Sequence, residues 1–320
     1  MKMTTATEIL LAADTGGSKT DWLLVTPDGM RVDRCVTPGL ASLRAGMLPV
    51  EPSVRQTAAR WSRVRPAHLY CSCGGPNTEE IRGALERAWP ETPVTVEREA
   101  SGALLLACRE FLRCDGAVLA GTGVTAVGFT PDGRCRYADG WGPVYGDSGS
   151  GGGIGLKAVR RFLQGVDGTA EAGRLGELFR DAAAGVNTAE FDGRMELKRR
   201  INELDRRALA ALAPRVAALA EEGDPAASGI LDNAARHMAQ LAAAVAPDGG
   251  TVLMLGGLFK LGGDFRRRCE DFLRERNPGC RWFRDERVTI GKLAAARAMQ
   301  LAGHVVNARR WSNLLNERTA

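Results

Sequence analysis

Short apolar runs separated by glycine-rich turns fill the first part of the chain. Residues 8–13 are mostly apolar and end at Asp14 and a Gly-Gly turn, which predicts a buried strand that enters a hairpin. Pro49 and Pro52 restrict the first helix, and Asn77 is placed to cap the second. Strands and helices are predicted to alternate, with strands at 21–25, 31–36, 67–71 and 93–97, and helices at 54–63, 78–89 and 100–111. This order is typical of an α/β domain.

The same order starts again near residue 116. Residues 120–133, AGTGVTAVGFTPDG, repeat residues 16–29, GGSKTDWLLVTPDG, at an offset of 104 positions. Each copy is a glycine-rich turn, an apolar strand and a TPDG turn, and another strand is predicted at 134–137. We therefore predict a duplicated α/β domain, with an N-terminal domain at 1–114 and a C-terminal domain at 115–320.

The second half of the chain has a different pattern. Residues 139–155 hold eight glycines in seventeen positions, which excludes a regular element throughout and predicts a shaped loop. A helical insertion is predicted at about 165–246, with alanine-rich helices at 204–222 and 225–245, followed by a strand at 251–255 and helices at 264–276 and 292–301. The last segment either packs back on the first domain or frays.

Composition excludes several classes of protein. The chain has 320 residues, 44% of them apolar and 25% charged, which fits two folded domains. Its net charge of +5 is spread over arginine-rich helices without interleaved aromatic residues, so we expect solvated helix faces and no nucleic-acid partner. No apolar run approaches the ~18 residues of a membrane span, and no signal-like segment is evident, so we expect a cytoplasmic protein. The eight cysteines include no C-x-x-C pair, and metal-site spacing is absent.

The first glycine turn is a candidate phosphate site. A turn of this kind lets backbone N–H groups approach a phosphate, and a duplicated pair can hold one polyphosphate from two sides. Asp14 precedes the turn and could hold Mg²⁺ directly or through water, or could simply cap the turn. The sequence is neither a Walker A loop nor a dinucleotide fingerprint, because a strand follows it and the required spacing is missing.

Three further segments carry candidate chemistry. The turn Gly121-Thr122-Gly123 and the pair Gly256-Gly257 could approach a nucleotide closely, although each alone is also an ordinary turn. In residues 140–155, Asp147 stands among glycines and serines that leave its carboxylate unobstructed, and Trp141 offers an apolar face to a sugar ring. A flexible linker is the alternative. Glu99 precedes a predicted helix. In phosphoryl transfer to an alcohol it could orient the hydroxyl and accept its proton, or it could merely favour the helix dipole.

Together, the turns, the GWG-x-x-x-GD-x-GSG loop and the late Gly-Gly strand resemble the N-acetylglucosamine kinase branch of the BadF/BadG/BcrA/BcrD ATPase family, within the sugar kinase, actin and heat-shock ATPase superfamily. The resemblance covers most of the chain to about residue 300, and is weak at 165–246. It implies two RNase H-like domains of the actin-like ATPase kind with a central cleft. It also implies ATP and Mg²⁺ as cofactors, an amino sugar or related hexose as substrate, and a homodimer.

The family motifs assign roles by position. D-x-G-x-[ST]-K-T matches residues 14–20, and L-x-G-T-G-[ST] matches residues 119–124 with Val124 in place of the hydroxyl residue. GDEGS matches with Ser148 in place of the acidic residue, and Glu99 stands where the family has a catalytic aspartate. The implied residues are Glu99 and Asp14 for catalysis, Asp14 for the metal, Thr15, Gly16, Gly17, Ser18, Lys19, Thr20, Gly121, Thr122, Gly123, Gly256 and Gly257 for ATP, and Gly39, Trp141, Gly142, Asp147 and Ser150 for the sugar.

Two other functions compete with an ATP-dependent sugar kinase. A regulator that binds ATP and sugar without catalysis is favoured by the departures at Glu99, Val124 and Ser148. An ATPase that activates a dehydratase by electron transfer would need cysteine ligands for an iron–sulfur cluster. Cys71 and Cys73 do not stand in the sequence context that this branch of the family uses.

Overall fold

A computed structural model of the chain describes residues 8–42, 46–47, 49–98, 104, 107–130 and 132–320. The chain forms two compact units. The first unit comprises Met1–Arg113 and Asp285–Ala320, and the second comprises Cys114–Arg284.

The described residues form strands and helices in an α/β order. The strands are β1 (Leu10–Thr15), β2 (Lys19–Val25), β3 (Arg31–Pro38), β4 (His68–Cys73), β5 (Val94–Arg98), β6 (Gly116–Ala120), β7 (Val124–Phe129), β8 (Cys135–Asp139), β9 (Thr251–Leu255) and β10 (Arg281–Phe283). The α-helices are α1 (Val50–Arg60), α2 (Thr78–Ala88), α3 (Gly151–Val166), α4 (Arg180–Ala183), α5 (Phe191–Asn202), α6 (Arg206–Ala211), α7 (Ala213–Glu221), α8 (Pro225–Val245), α9 (Gly263–Arg276), α10 (Ile290–Leu301) and α11 (Ala308–Leu315). Short 3-10 helices lie at Gly173–Phe179 and Gly257–Lys260, and a π-helical turn lies at Ala107–Phe111.

The first unit is built on a five-stranded mixed sheet in the order β3-β2-β1-β4-β5. Strands β1, β2 and β3 form an antiparallel meander, while β4 and β5 run parallel to β1. One face of the sheet packs on α1 and α2 around a core that includes Leu11, Trp22 and Leu69. Helix α10 covers β1, β2 and β4, and lies on the other face with Asp14 and Asp21. Strand β1 is therefore buried on both sides, which explains its nearly continuous apolar sequence.

The second unit repeats this topology in a sheet of order β10-β9-β6-β7-β8. Strands β6, β7 and β8 form the meander, and β9 and β10 are the parallel additions. A larger core joins this sheet to α3, α7, α8 and α9. The two sheets confirm the predicted α/β class and the duplication that the repeated sequence indicated.

Two helices begin earlier than predicted. Helix α1 starts at Val50 because Pro52 lies in its first turn, where a helix tolerates a residue without an N–H. Helix α3 starts at Gly151, inside the segment that we predicted as a loop. Its glycine-rich start is stabilised by the Ser150 side chain, which accepts a hydrogen bond from the N–H of Gly153.

The C-terminal segment, for which we predicted either packing on the first domain or fraying, belongs to the first unit. Helix α10 is almost wholly buried against the first sheet. The chain end joins the edge strand β3, where the Arg31 N–H donates to the Arg318 carbonyl and the Ala320 N–H donates to the Arg31 carbonyl, at 2.7 and 3.0 Å. Burial of an apolar helix, which the local sequence pattern does not assign to either sheet, decides this arrangement.

Among the described residues, no helix is long and apolar enough to cross a membrane.

Candidate functional site

The first glycine turn connects β1 and β2 and is closed by two buried threonines. Thr15 and Thr20 form the last pair of this hairpin, and their hydroxyl oxygens lie 2.6 Å apart. The Gly16 N–H donates to the Lys19 carbonyl at 3.0 Å, which makes the turn tight. Gly17 and Lys19 are exposed at its tip. The structure thus presents the backbone and one cation of this turn to solvent.

The segment after β3 packs directly under this turn. The Leu40 N–H donates to Thr15 Oγ1 at 2.9 Å, and the Ala41 N–H donates to the Gly16 carbonyl at 3.3 Å. A β-carbon on Gly39 would overlap the backbone of Gly16 and Gly17. Gly39 was predicted to contact sugar, and the structure places it against the turn, because only a residue without a side chain fits there.

Asn77 holds this segment in place from the start of α2. It stands at the predicted cap position, but its side chain makes no capping hydrogen bond. Instead, its Nδ2 donates to the Leu40 carbonyl and its Oδ1 accepts from the Ser42 N–H, both at 2.9 Å. Asn77 is buried, and its Nδ2 also donates to Oε2 of Glu80 at 3.3 Å, so two backbone groups and one carboxylate satisfy its amide. Hydroxyls, backbone groups and one side-chain amide therefore support the first turn directly, and the Glu80 carboxylate joins this network through Asn77.

Asp14 lies at the end of β1, half-buried, directly before the turn. The sheet register places it beside Asp21 on β2 and beside Ser72 on β4, so the three side chains share one face. The Ser72 hydroxyl is buried and has no hydrogen-bond partner within the described part of the chain. No cluster of three or more metal-binding side chains occurs among the described residues. A single carboxylate such as Asp14, at the end of a strand and before a glycine turn, is compatible with Mg²⁺, which is usually held by one or two carboxylates together with phosphate oxygens and water.

The second glycine turn connects β6 and β7 and is braced by the start of α3. The Gly121 N–H donates to the Gly123 carbonyl at 2.8 Å. From α3, the N–H groups of Gly151 and Gly152 donate to the carbonyls of Gly121 and Thr122, at 2.8 and 3.1 Å. The first N–H groups of the helix thus orient the carbonyls of the turn toward the helix.

Asp147 fixes the same turn with a charge. Its Oδ1 accepts from the Val124 N–H at 2.7 Å, and its Oδ2 pairs with Nη2 of Arg206. The residue is only 5% exposed, so the expectation of an unobstructed carboxylate is wrong. Burial raises the pKa of Asp147, against the lowering effect of the Val124 N–H and of Arg206. The glycines around Asp147 permit this burial because they let the loop fold over the turn.

Asp139 and His237 anchor the backbone of Asp147. The Asp147 N–H lies 3.1 Å from both carboxylate oxygens of Asp139, and Nε2 of His237 lies 2.8 Å from Oδ2. Burial favours a raised pKa for Asp139, but the hydrogen bonds from His237 and the backbone outweigh it and keep the pKa below the usual value. Sequence reasoning missed Arg206 and His237, because they lie on distant helices and no local motif marks them.

The other loop residues predicted to contact sugar differ in their burial. Ser150 was predicted to contact sugar, but it is fully buried and caps α3. Gly142 has a left-handed φ of 83° and open space around it. Trp141 is 77% exposed, together with Val144 and Tyr145 in the same loop. The loop therefore presents apolar side chains to solvent while its carboxylate points inward.

The late glycine pair lies beside the second turn. Strand β9 runs parallel to β6, and a β-carbon on Gly256 would overlap the Ala120 carbonyl. Gly256 also has a φ of 101°, which favours glycine. Gly257 has open space around its Cα, and both glycines are exposed. The structure thus brings the pair to the end of β6, where the second turn begins.

Glu99, the predicted base, lies outside the described residues. The nearest described acid on β5 is Glu97, whose Oε2 accepts from the Tyr70 hydroxyl at 2.9 Å and whose Oε1 lies 3.6 Å from Arg297. Glu97 stands beside Ser72 in the sheet register, on the face that also carries Asp14.

Solved structures share this two-unit architecture. A protein of Chromobacterium violaceum assigned as an N-acetylglucosamine kinase aligns with a TM-score of 0.70 and 22% identity, over 92% of this chain and 99% of that one. A protein of Porphyromonas gingivalis with the same assignment aligns with a TM-score of 0.65 and 17% identity, over 90% of this chain and 98% of that one. A ROK-family glucokinase of Streptomyces griseus, solved with glucose and AMPPNP, aligns with a TM-score of 0.56 and 17% identity. The alignment covers 93% of this chain and 100% of that one. Such identities show the fold alone, the two-domain fold of sugar kinases.

Sequence comparison assigns the family. A search of curated proteins found no match. The model of the BadF/BadG/BcrA/BcrD ATPase family matches residues 79–280, well over half of the chain. The match includes the second glycine turn and the loop with Asp147. The chain belongs to the BadF/BadG/BcrA/BcrD ATPase family.

Proposed function

We propose that this chain transfers a phosphoryl group from ATP to a hydroxyl of a sugar, and that the sugar is an amino sugar such as N-acetylglucosamine or glucosamine. The observation that carries the proposal is the pair of glycine turns. Each turn occupies the same place in one copy of a duplicated sheet, and each is braced by its own hydrogen bonds. Membership in an ATPase family and the fold of sugar kinases support it.

In this proposal the two glycine turns bind the phosphates of ATP. Backbone groups of residues 15–20 and the Lys19 ammonium would contact phosphate oxygens in the first unit, and residues 121–123 would do so in the second. Gly256 and Gly257, exposed beside the second turn, would admit the nucleoside. Bound Mg²⁺ would neutralise phosphate charge, and Asp14 is the carboxylate that would hold it.

The acceptor hydroxyl needs a base. We assign this role to Glu99, which would orient the hydroxyl and take its proton. The sugar oxygen then bonds to the γ-phosphorus, the bond from that phosphorus to the bridging oxygen of ADP breaks, and ADP leaves with the bonding electrons. The exposed ring of Trp141 and the adjacent Gly142 would contact the sugar. The buried Asp147, Ser150 and Gly39 would shape the site, rather than contact sugar as predicted. A cytoplasmic homodimer is part of the same proposal.

A coupled ADP-release assay over a panel of hexoses, hexosamines and anhydrosugars tests the proposal. We expect at least one amino sugar to stimulate ADP release. Asp14→Asn and Glu99→Gln should each lower kcat by about 100-fold or more, because they remove the metal ligand and the base. Asp28→Asn and Glu79→Gln, which change exposed acids of the same unit, serve as matched controls and should leave kcat unchanged.

Three outcomes would contradict the proposal in different ways. ATP binding without ADP release on any sugar would favour the regulator. Full activity of Glu99→Gln would reject Glu99 as the base. A chain that binds no ATP at all would reject the role of both turns.

A further inference from the structure

We propose that Arg206 is a nucleotide-binding residue, and that its guanidinium contacts the phosphates of a nucleotide held at the second glycine turn. The inference rests on the proposed function and adds a residue that the sequence motifs do not mark. Arg206 begins α6, a six-residue helix outside the repeated segments.

The Arg206 guanidinium lies directly against the turn. A β-carbon built on Gly123 would overlap Nη2 of Arg206. A β-carbon on Gly152 would lie 3.9 Å from Cγ of Arg206. The side chain therefore runs along the junction between the turn and the start of α3. An anion seated at this turn would meet the guanidinium.

The hydrogen bonds of Arg206 differ from those of a structural arginine in the first unit. There, Arg34 grips Asp21 with two bonds, Nε to Oδ1 at 2.8 Å and Nη2 to Oδ2 at 2.6 Å. Arg206 donates only Nη2 to Asp147, and its Nε is buried with no partner among the described residues. A structural arginine–carboxylate pair favours the two-bond arrangement. Asp147 thus orients the guanidinium without using most of its five donors.

The two members of this ion pair differ in exposure. The Arg206 side chain is 38% exposed, whereas the Asp147 side chain is 6% exposed. The cationic partner is therefore the one that an incoming ligand can reach. The first N–H groups of α3 already donate to the turn carbonyls and to Ser150, so they are not available to an anion. Arg206 would therefore add a side-chain cation to the backbone groups that this turn presents to phosphate charge.

Nucleotide titration with matched variants tests the proposal. Isothermal titration with AMPPNP and with adenosine compares the wild type with Arg206→Met and with Arg207→Met, the exposed neighbour on the same helix. We expect Arg206→Met to weaken AMPPNP binding about 10- to 100-fold, the range of one or two charge-assisted hydrogen bonds. Arg207→Met should stay within about 2-fold, because surface charges contribute little. Adenosine binding should be the same in all three proteins.

A double variant separates phosphate contact from simple neutralisation of Asp147. If Arg206 only balances that carboxylate, removing both charges in Asp147→Asn/Arg206→Met should restore AMPPNP affinity, and this result would overturn the proposal. If Arg206 contacts phosphate, the double variant stays as weak as Arg206→Met. Arg206→Lys should recover part of the affinity, because it keeps the charge but loses the planar fork.

The possible failures are distinguishable. Equal AMPPNP affinity of Arg206→Met and Arg207→Met, with a wild type that binds, overturns the role of Arg206 and leaves the proposed kinase standing. A wild type that binds no AMPPNP overturns both. Thermal unfolding of each variant shows whether it is folded, and Arg206→Lys replaces Arg206→Met if the latter is not.

Discussion

The two glycine turns have the same place in their sheets, but they are supported by different chemistry. Behind the first turn lie hydroxyls and amides, contributed by Thr15, Thr20 and Asn77. Behind the second lie charges, with Asp147 paired to Arg206 and its backbone held by Asp139. A repeated sequence and topology thus do not imply a repeated network. We therefore expect the groups that contact the first turn directly to be insensitive to pH. The second turn depends on two carboxylates whose pKa values are shifted, that of Asp139 downward and that of Asp147 upward.

The two units also differ in the segment that comes after the third strand of each meander. After β3, residues 39–42 are buried and bond directly to the first turn. After β8, a longer loop reaches the second turn through Asp147 and leaves Trp141 exposed on the way. The second unit thereby gains an exposed aromatic surface close to a structural carboxylate.

Breaking the charged support should have the largest effect. Asp147→Ala removes the acceptor of the Val124 N–H and leaves Arg206 without its partner. We expect it to lower the free energy of unfolding by about 2 to 3 kcal/mol, at the low end for such a pair because Arg206 is partly exposed. Urea unfolding followed by circular dichroism measures this. Asp132→Ala, which changes an exposed acid, is the control. An equally small loss of stability in both variants would show that Asp147 does not stabilise the second turn.

Removing a hydroxyl from the network behind the first turn should cost less. Thr15→Val leaves the Leu40 N–H buried without an acceptor, so we expect a loss of about 1 to 2 kcal/mol in the free energy of unfolding. The loss should be the same at pH 5 and pH 8, because no titrating group is involved. Thr15→Ser keeps the hydroxyl and is the matched control. A loss of stability that changes between pH 5 and pH 8 would show that a titrating group takes part in the contacts of Thr15.

The response to acid should separate the two networks further. The pKa of Asp139 is lowered in the folded chain, so its contribution to stability is present at neutral pH and is lost as pH falls through and below 3.8. The pKa of Asp147 is raised in the folded chain, so protonation of Asp147 as pH falls favours the folded state. We expect Asp139→Asn to lose less stability than the wild type between pH 5 and pH 3, measured by urea unfolding. A steeper loss of stability in Asp139→Asn than in the wild type would show that ionised Asp139 does not stabilise the folded chain.

The smallest effect on stability is expected at the exposed loop. Trp141→Ala should change the free energy of unfolding by less than about 0.5 kcal/mol, because the side chain is largely in solvent. Loss of an aromatic contact should nevertheless raise KM for the best sugar about 5- to 10-fold. Tyr145→Ala, in the same loop and still more exposed, is the control. Equal KM values in both variants would remove Trp141 from the sugar site.

Local sequence pattern determined most of the elements and both turns. The predicted helix at 225–245 and strand at 251–255 match α8 and β9, and the repeat of 16–29 at 120–133 predicted the duplicated meander. Apolar periodicity and glycine turns act over a few residues, so they can be recognised without knowledge of the fold. The family motifs pointed in the same way to an ATPase, and the family match bears this out.

Only the tertiary structure decided which side chains support the turns. Arg206 reaches Asp147 across 59 positions, and His237 reaches Asp139 across 98, so no local pattern could pair them. The burial of Asp147 likewise depends on how its loop folds over the turn, and the position of α10 depends on which sheet offers an apolar face. Ion pairs and helix docking are set by packing between distant elements, and therefore appear only when the chain is folded.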